Sequence, residues 1–367
     1  MPASQPIGLF AVLLGTLAIW CAPARAIYIR DDVPVATYNA LALEPQYDSA
    51  VYLAYNNVAG GGLNAQACSG VLVSPTFILT AAHCASGWTA SEISFGFSAN
   101  IPSALPLDQI ASIAINPAWT GLTDFANDEA LLELTTPVTS VAPAEIWTTD
   151  ITGMTATFVG YGRQDTGNLK YELCPTLANP AAICPAKGLL PGANNRLAAQ
   201  NVIDTLDVTD GLWEADFDAP GNVTTAPFTA IGDTTPASLN ITGTDIALAT
   251  EGTICSGDSG GPLFVDIGGQ EVLAGTNEAI DSPFFSTPNC GYGNEGYWTT
   301  LDNPQNIAFL ETTDPAIQFA PEPMSMALLS TGLLGLAAAR RRRRASVSPH
   351  CRPGNCFLGS HKHVTTR

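Results

Sequence analysis

The body of the chain consists of short β-rich runs separated by turn residues. The runs GVLV and FILT flank Ser74-Pro75-Thr76, and LFVDI and QEVLAG flank Gly268-Gly269, a pair typical of a two-residue hairpin turn. Further strand candidates are EISFGF, IASIAI, EALLEL and TATFVGYG. Helical pattern is scarce outside NPQNIAFLE, where Asn303 can cap a helix that begins at Pro304. The pattern predicts an all-β sandwich or barrels.

The N-terminus has the pattern of an export signal. The apolar stretch IGLFAVLLGTLAIWCA precedes APARA, whose small residues Ala24 and Ala26 favour cleavage before Ile27. No lysine or arginine precedes the apolar stretch, so a retained anchor helix is the alternative. We expect residues 1–26 to be a signal peptide.

Cysteine content agrees with an exported chain. An even number of cysteines in such a chain indicates disulfides, and the sequence alone does not choose among the possible pairings. The six cysteines of the body are Cys68, Cys84, Cys174, Cys184, Cys255 and Cys290.

Charge excludes one class of partner. The formal net charge is −19, and between Ile27 and Ala320 there are five basic residues against 32 acidic ones. So acidic a body repels phosphate backbones, and we therefore expect no nucleic-acid partner.

The stretch TICSGDSGGPLF suggests a nucleophile, Ser259. A serine hydroxyl needs an adjacent base, usually a histidine that is held by a third group. His83 is the one histidine of the body, and Asp128 begins an apolar, strand-like run. The other histidines lie in the C-terminal tail: His350, His361 and His363.

The glycines around this serine also fit the G-x-S-x-G elbow of α/β-hydrolases. That fold requires its histidine after the serine. Here the later histidines all lie in the tail, and the chain has no alternating helix and strand pattern. We reject this alternative.

Three segments, in this order, resemble the signature segments of the chymotrypsin/trypsin-like serine proteases: CSGVLVSPTFILTAAHC, NDEALLEL and CSGDSGGPLF. FVGYGR resembles the segment that opens the family's second barrel, and GNEGYWTTL its last strand. The resemblance covers residues 48–312. It implies a domain over residues 27–312 with two antiparallel six-stranded β-barrels, a short C-terminal helix, and no cofactor or metal.

The resemblance also implies roles for individual residues. Ser259 attacks the substrate carbonyl, His83 takes and returns the proton, and Asp128 orients the imidazole. The N–H groups of Gly257 and Ser259 form the oxyanion hole, which the surrounding glycines leave open. The implied disulfides are Cys68–Cys84 and Cys255–Cys290, which leaves Cys174–Cys184 as a local loop.

Activation departs from the family pattern. Family members usually pair a freed N-terminal amine with the aspartate before the nucleophile, here Asp258. The chain lacks a clear basic-Ile-Val-Gly-Gly site. Ile27, freed by signal peptidase, is our first candidate, with Ile29 or Val33 after further trimming, or an internal cation, as alternatives.

Specificity also departs from the trypsin pattern. The pocket positions that the resemblance implies are Thr253, Ile254 and Gly296, and no carboxylate lies among them. We expect an uncharged, medium to large apolar residue before the scissile bond, and no specificity for arginine or lysine. Glu278, near the substrate-binding strand, would instead favour a basic residue.

The C-terminal segment 321–344, PEPMSMALLSTGLLGLAAARRRRR, resembles the PEP-CTERM sorting signal of Gram-negative bacteria. This resemblance implies recognition by an exosortase, a membrane-attached stage, and delivery to the cell surface or extracellular matrix. A plain C-terminal membrane anchor is the alternative. Residues 313–320 are expected to be a linker, and residues 345–367 a disordered tail.

Together these observations predict a secreted serine endopeptidase that acts on proteins or peptides. Two alternatives remain open at this point. One is a catalytically silent binding protein of the cell surface or matrix on the same fold. The other is an esterase that uses the same three residues.

Overall fold

The computed structural model describes residues 27–55, 66–102, 106–107, 109–162, 164–167, 171–173, 183–185, 195–218, 220, 247–281 and 290–321. The predicted signal peptide, residues 322–344 of the sorting segment and the tail lie outside these residues, as do Cys174 and the side chain of Cys184. Within the described ranges, no helix has the length and apolar character needed to cross a membrane.

The described residues form mostly short strands, and every strand candidate of the sequence corresponds to one of them. The elements in chain order are β1 Tyr28–Ile29, α1 Val35–Ala42, β2 Ala50–Tyr55, β3 Gln66–Ser74, β4 Phe77–Thr80, α2 Ala82–Ala85, β5 Ile93–Gly96, β6 Ile110–Ile115, β7 Ala130–Leu134, β8 Thr155–Gly160, β9 Asp165–Thr166, β10 Tyr171–Leu173, β11 Ile183–Pro185, β12 Leu197–Val202, β13 Thr205–Asp207, β14 Leu212–Asp216, β15 Gly252–Thr253, β16 Pro262–Asp266, β17 Glu271–Asp281, β18 Glu295–Thr300 and α3 Pro304–Thr313.

The first large sheet is antiparallel, with six strands in the order β5-β2-β3-β4-β7-β6. In it, β4 pairs with β7, and Thr80 lies opposite Ala130. His83 follows Thr80 by three residues, and Asp128 precedes Ala130 by two. This register brings His83 and Asp128 to the same edge of the sheet.

The second large sheet is also antiparallel, in the order β12-β8-β16-β17-β18-β14-β13. It has seven strands among the described residues, so the expectation of six was wrong here. The additional strand is β13, which pairs with β14. The sequence analysis listed no strand candidate in residues 205–216, which contain β13 and β14. Trp213 and Ala215 of β14 are buried in the core of the second sheet. Both sheets are curled, as in trypsin-like folds.

The hairpin between β16 and β17 turns where the sequence predicted. Gly268 and Gly269 have φ values of 68° and 92°, and the amide of Ile267 donates to the carbonyl of Gln270 over 2.9 Å. Positive φ at both central positions is the conformation that glycine adopts without steric cost.

The two sheets share a hydrophobic cluster. Its buried members include Val71 and Leu79 from the first sheet, Phe264 and Leu273 from the second, and Leu310 from α3. Burial of apolar surface between the sheets holds the edges that carry the candidate site residues in a fixed relation.

Helix α1 was not predicted from the sequence. It follows Pro34 directly, buries Tyr38 and Ala42, and packs against β12. The helix is short and has only a weak amphipathic pattern, so tertiary packing and not local propensity accounts for it.

Helix α3 begins where the sequence predicted. The Asn303 side chain accepts a hydrogen bond from the amide of Asn306 over 2.8 Å, and Pro304 occupies the first turn. Asn306 is fully buried. Its side-chain nitrogen donates to the carbonyls of Ala126 and Thr300, and its oxygen accepts from the Asn116 amide.

Replacement of Asn306 by alanine should therefore destabilise the fold by about 2–3 kcal/mol, because buried partners are left without hydrogen bonds. Gln305→Ala, at an exposed position of the same helix, should change stability by less than about 0.5 kcal/mol. Denaturant unfolding of the purified variants measures both values. Equal stability of the two variants would contradict the assigned role of Asn306.

Candidate active site

Asp128 holds His83 at two points. Its Oδ1 accepts the main-chain N–H of His83 over 2.7 Å, and its Oδ2 lies 2.6 Å from the ring Nδ1. The Asp128 side chain is 1% exposed, whereas that of His83 is 23% exposed. A carboxylate acceptor at Nδ1 requires the proton on that nitrogen, which leaves Nε2 as the acceptor.

The turn that precedes Asp128 is held by the other half of the molecule. The carbonyl of Ala126 accepts from the side-chain nitrogens of Asn303 and Asn306 over 2.7 and 2.9 Å. The carbonyl of Phe125 accepts from Thr299 Oγ1 over 3.0 Å. Groups from β18 and α3 thus fix the position of a carboxylate that belongs to the first sheet.

Ser259 lies half-buried in the turn that leads into β16. Its carbonyl accepts the amide of Ser69 over 2.9 Å. A Cβ on the next residue, Gly260, would collide with Thr80 Oγ1 and Ala81 N. The main chain at Ser259 therefore lies directly against the segment that leads to His83.

The amides of Gly257 and Ser259 have no hydrogen-bond acceptor in the part of the chain that the structure describes. Gly257 has a φ of 94°, in the region that favours glycine, and its carbonyl accepts from Ser69 Oγ over 3.2 Å. Two free N–H groups beside a serine hydroxyl can stabilise a developing oxyanion.

Asp258 points the opposite way, into the interior, and is fully buried. Its carboxyl oxygens accept amides from Ile27 and Cys255, each over 2.8 Å, and from Gly162 over 2.9 Å. Burial raises the pKa of Asp258 to about 7, against the opposing effect of these three hydrogen bonds. Of the three N-terminal candidates, Ile27 is the residue that contacts Asp258.

Two disulfides support this arrangement, and both have the pairing that the resemblance implies. Cys68–Cys84 joins β3 to the residue that follows His83. Cys255–Cys290 joins the turn before Ser259 to the segment before β18. The pairing of Cys174 with Cys184 falls outside the described residues and stays a prediction.

Of the three residues expected to form the specificity pocket, Thr253 and Gly296 lie side by side, whereas Ile254 lies in the hydrophobic core. Thr253 is buried, and its hydroxyl has no partner among the described residues. A Cβ on Gly296 would lie 2.8 Å from that hydroxyl and 2.9 Å from the Trp298 ring. Ile254 instead packs in the hydrophobic core of the second sheet. The sequence analysis did not identify Trp298 as a neighbour of this region.

Two supporting residues also escaped the sequence analysis. Ser69 contacts the main chain of both Gly257 and Ser259. Asn277 exchanges main-chain hydrogen bonds with Gly260 and Gly261 over 2.7 Å. The contacts of these small polar residues could not be predicted from the sequence, because their partners are distant in the chain.

Glu278, which one sequence interpretation placed near the strand that binds substrate, is buried beside His83. It is 7% exposed, its Oε1 lies 3.6 Å from His83 Nδ1, and its Oε2 accepts from Thr299 Oγ1 over 3.3 Å. Burial and the neighbouring Asp128 carboxylate raise the pKa of Glu278 well above its ordinary value.

His83, Asp128 and Glu278 each offer one possible ligand atom within 4.8 Å of the others, the one such group of metal-ligand types in the described ranges. His83 Nδ1 and Asp128 Oδ2 already hydrogen-bond to each other. A cation would have to displace the Nδ1 proton from this bond. A cation at this position would therefore compete with the hydrogen bond that holds His83.

Glu251, which directly precedes β15, should make stability depend on pH. It is 1% exposed, its Oε1 has no partner among the described residues, and burial raises its pKa from 4.5 to about 9. Between those values the unfolded chain loses a proton that the folded chain keeps, so stability falls as pH rises.

Glu251→Gln should therefore reduce the loss of stability between pH 5 and pH 8.5. Denaturation midpoints at the two pH values measure this loss. The exposed Glu311 provides the control, Glu311→Gln, which should show the parent's dependence. A parent-like loss in Glu251→Gln would contradict the assignment.

Comparison with known proteins finds a partial match to the trypsin family. Residues 45–181 match the sequence profile of the family described as Trypsin, which is less than half of the 367 residues. "Serine protease filzig" of Drosophila melanogaster is 34% identical over 110 residues, which cover 27% of this chain but 6% of the fly protein. The crystal structure of scabies mite inactivated protease paralogue S-I1 covers 73% of this chain and 95% of its own, with a TM-score of 0.44 and 16% identity.

Proposed function

We propose that this protein is an exported serine endopeptidase that uses Ser259, His83 and Asp128. The observation that carries the proposal is the double contact of Asp128 with His83, next to a serine turn with two free amides. A histidine oriented in this way, with Nε2 as acceptor, is the base that a serine nucleophile needs.

In this mechanism, Ser259 Oγ attacks the carbonyl carbon of the scissile bond while His83 Nε2 accepts its proton. Asp128 stabilises the resulting imidazolium through the Nδ1–H bond. The amides of Gly257 and Ser259 bind the oxyanion. His83 then protonates the leaving amine, and water hydrolyses the acyl-enzyme by the same proton transfers in reverse.

Fluorophosphonate labelling tests the nucleophile directly. The parent protein should be labelled at Ser259, and Ser259→Ala should not, because the probe requires an activated hydroxyl and a formed oxyanion hole. Mass spectrometry of the labelled peptide identifies the site.

A folded parent that takes no label would contradict the proposal and favour the silent binding protein. A labelled parent that cleaves esters but no peptide in a peptide library would favour the esterase.

We also propose a preference for an uncharged apolar residue before the scissile bond. No carboxylate lies at Thr253 or Gly296, and the Glu278 carboxyl is occupied at His83 and Thr299. A negatively charged pocket base, which binding of arginine or lysine would require, is therefore lacking at these described positions.

For activation, we propose that removal of residues 1–26 frees the amine of Ile27 to pair with Asp258. The 2.8 Å contact between Ile27 N and a fully buried carboxyl supports this. An α-ammonium would compensate the charge of the ionised carboxylate, whereas an uncleaved peptide N–H supplies only a hydrogen bond.

Protein that begins at Ile27 should therefore be labelled at least about 100-fold faster than protein with an acetylated or extended N-terminus, since the ion pair orders the turn at Ser259. Its rate should fall above about pH 8, where an α-amino group loses its proton. Circular dichroism of each form is the control for folding. Full activity with a blocked N-terminus would contradict this mode of activation.

The proposed destination rests on the sequence. We propose that the segment 321–344 is recognised by an exosortase at the membrane, and that the protein reaches the cell surface or extracellular matrix of a Gram-negative bacterium. Protein and peptide substrates in that compartment are then the natural targets.

A further inference from the structure

Glu278 lies at an irregularity of β17. The pairing of β17 with β18 shifts register between Asn277 and Ala279, so Glu278 is the extra residue of a β-bulge. Bulges next to active sites redirect a side chain from its regular direction. The residue before the bulge is rigidly held, since the Asn277 side chain donates to the carbonyls of Val159 and Asp258 and accepts from Trp298 Nε1.

The redirected side chain reaches the candidate catalytic pair. Glu278 Oε1 is 3.6 Å from His83 Nδ1, and a carboxyl oxygen of Glu278 lies within 4.8 Å of a carboxyl oxygen of Asp128. Thr299 is its neutral donor. The titratable groups that face it are His83, Asp128 and the buried Glu129. In the described ranges, no lysine or arginine forms an ion pair with the carboxyl of Glu278, Asp128 or Glu129.

Two buried carboxyls this close disfavour double ionisation, so one of them keeps a proton, which it can donate to the other. The donors decide which one. Asp128 receives two N–H groups from His83, whereas Glu278 receives one hydroxyl from Thr299. The two N–H donors stabilise the charge on Asp128, and so the proton resides on Glu278.

We propose that Glu278 is a positioning residue of the active site, a neutral acid whose O–H donates to the Asp128 carboxylate and holds it toward His83. The inference rests on the proposed serine endopeptidase function. It gives Asp128 a third donor from β17, in addition to the two from His83.

The arrangement makes activity depend on the proton of Glu278. Its loss would break the hydrogen bond to Asp128 and place a second negative charge 3.6 Å from His83 Nδ1. Activity should therefore decrease as pH rises through the ionisation of Glu278.

The test is the pH dependence of the fluorophosphonate labelling rate of the purified mature protein. Glu278→Gln keeps a donor for Asp128 at every pH, so its rate should lie within about threefold of the parent at neutral pH, and the ratio of its rate to that of the parent should rise at alkaline pH. Glu278→Ala lacks the donor and should be slower by about 10- to 100-fold at every pH.

Glu129→Gln is the matched control. Glu129 is also a fully buried acid beside Asp128, but neither of its carboxyl oxygens has a partner in the described ranges. This variant should keep the parent's pH profile. All variants share one N-terminus, so loss of the Ile27 ammonium at high pH affects them equally.

A labelled parent whose profile is unchanged in Glu278→Gln would overturn this inference and leave the proposed function intact. The same holds if Glu129→Gln reproduces the change seen in Glu278→Gln. A parent that takes no label at any pH overturns the proposed function and this inference with it. If Glu278→Ala does not fold, the comparison of Glu278→Gln with the parent alone decides.

Discussion

The buried carboxyl of Asp258 is the point on which the rest of the site depends. It gathers amides from the N-terminal segment, the end of β8 and the turn before Ser259. A carboxyl without these donors would be costly to bury, so the three segments are required together. The orientation of the turn that carries Ser259 is thus tied to an N-terminal strand that belongs to neither large sheet.

The geometry around His83 is likewise shared between the two halves of the fold. The first sheet supplies the histidine and Asp128, but the second sheet and α3 supply the groups that hold them. Thr299 contacts both the turn before Asp128 and the Glu278 carboxyl. A site that is assembled in this way depends on packing between the two sheets for its geometry.

Local features of this structure could be predicted from the sequence, and distant contacts could not. The glycine hairpin, the Asn303 cap and the strand candidates follow from turn chemistry and β propensity. Helix α1 escaped because its stability comes from packing. The burial of Glu278 could not be predicted, because a charged residue is normally exposed and only the β-bulge directs this side chain inward. The pairing of Asp258 with Ile27 could be proposed only through a family resemblance.

The separation of these contacts along the chain has a kinetic consequence. Ile27 and Asp258 are 231 residues apart, and Asn303 and Ala126 are 177 apart. Closing such long loops costs chain entropy before any contact compensates it, so folding of this topology is expected to be slow. The hydroxyl, imidazole and carboxyl groups come together only after both chain ends of the domain have docked. A nascent or half-folded chain therefore lacks an assembled site, so the proposed proteolysis cannot begin before the domain has folded.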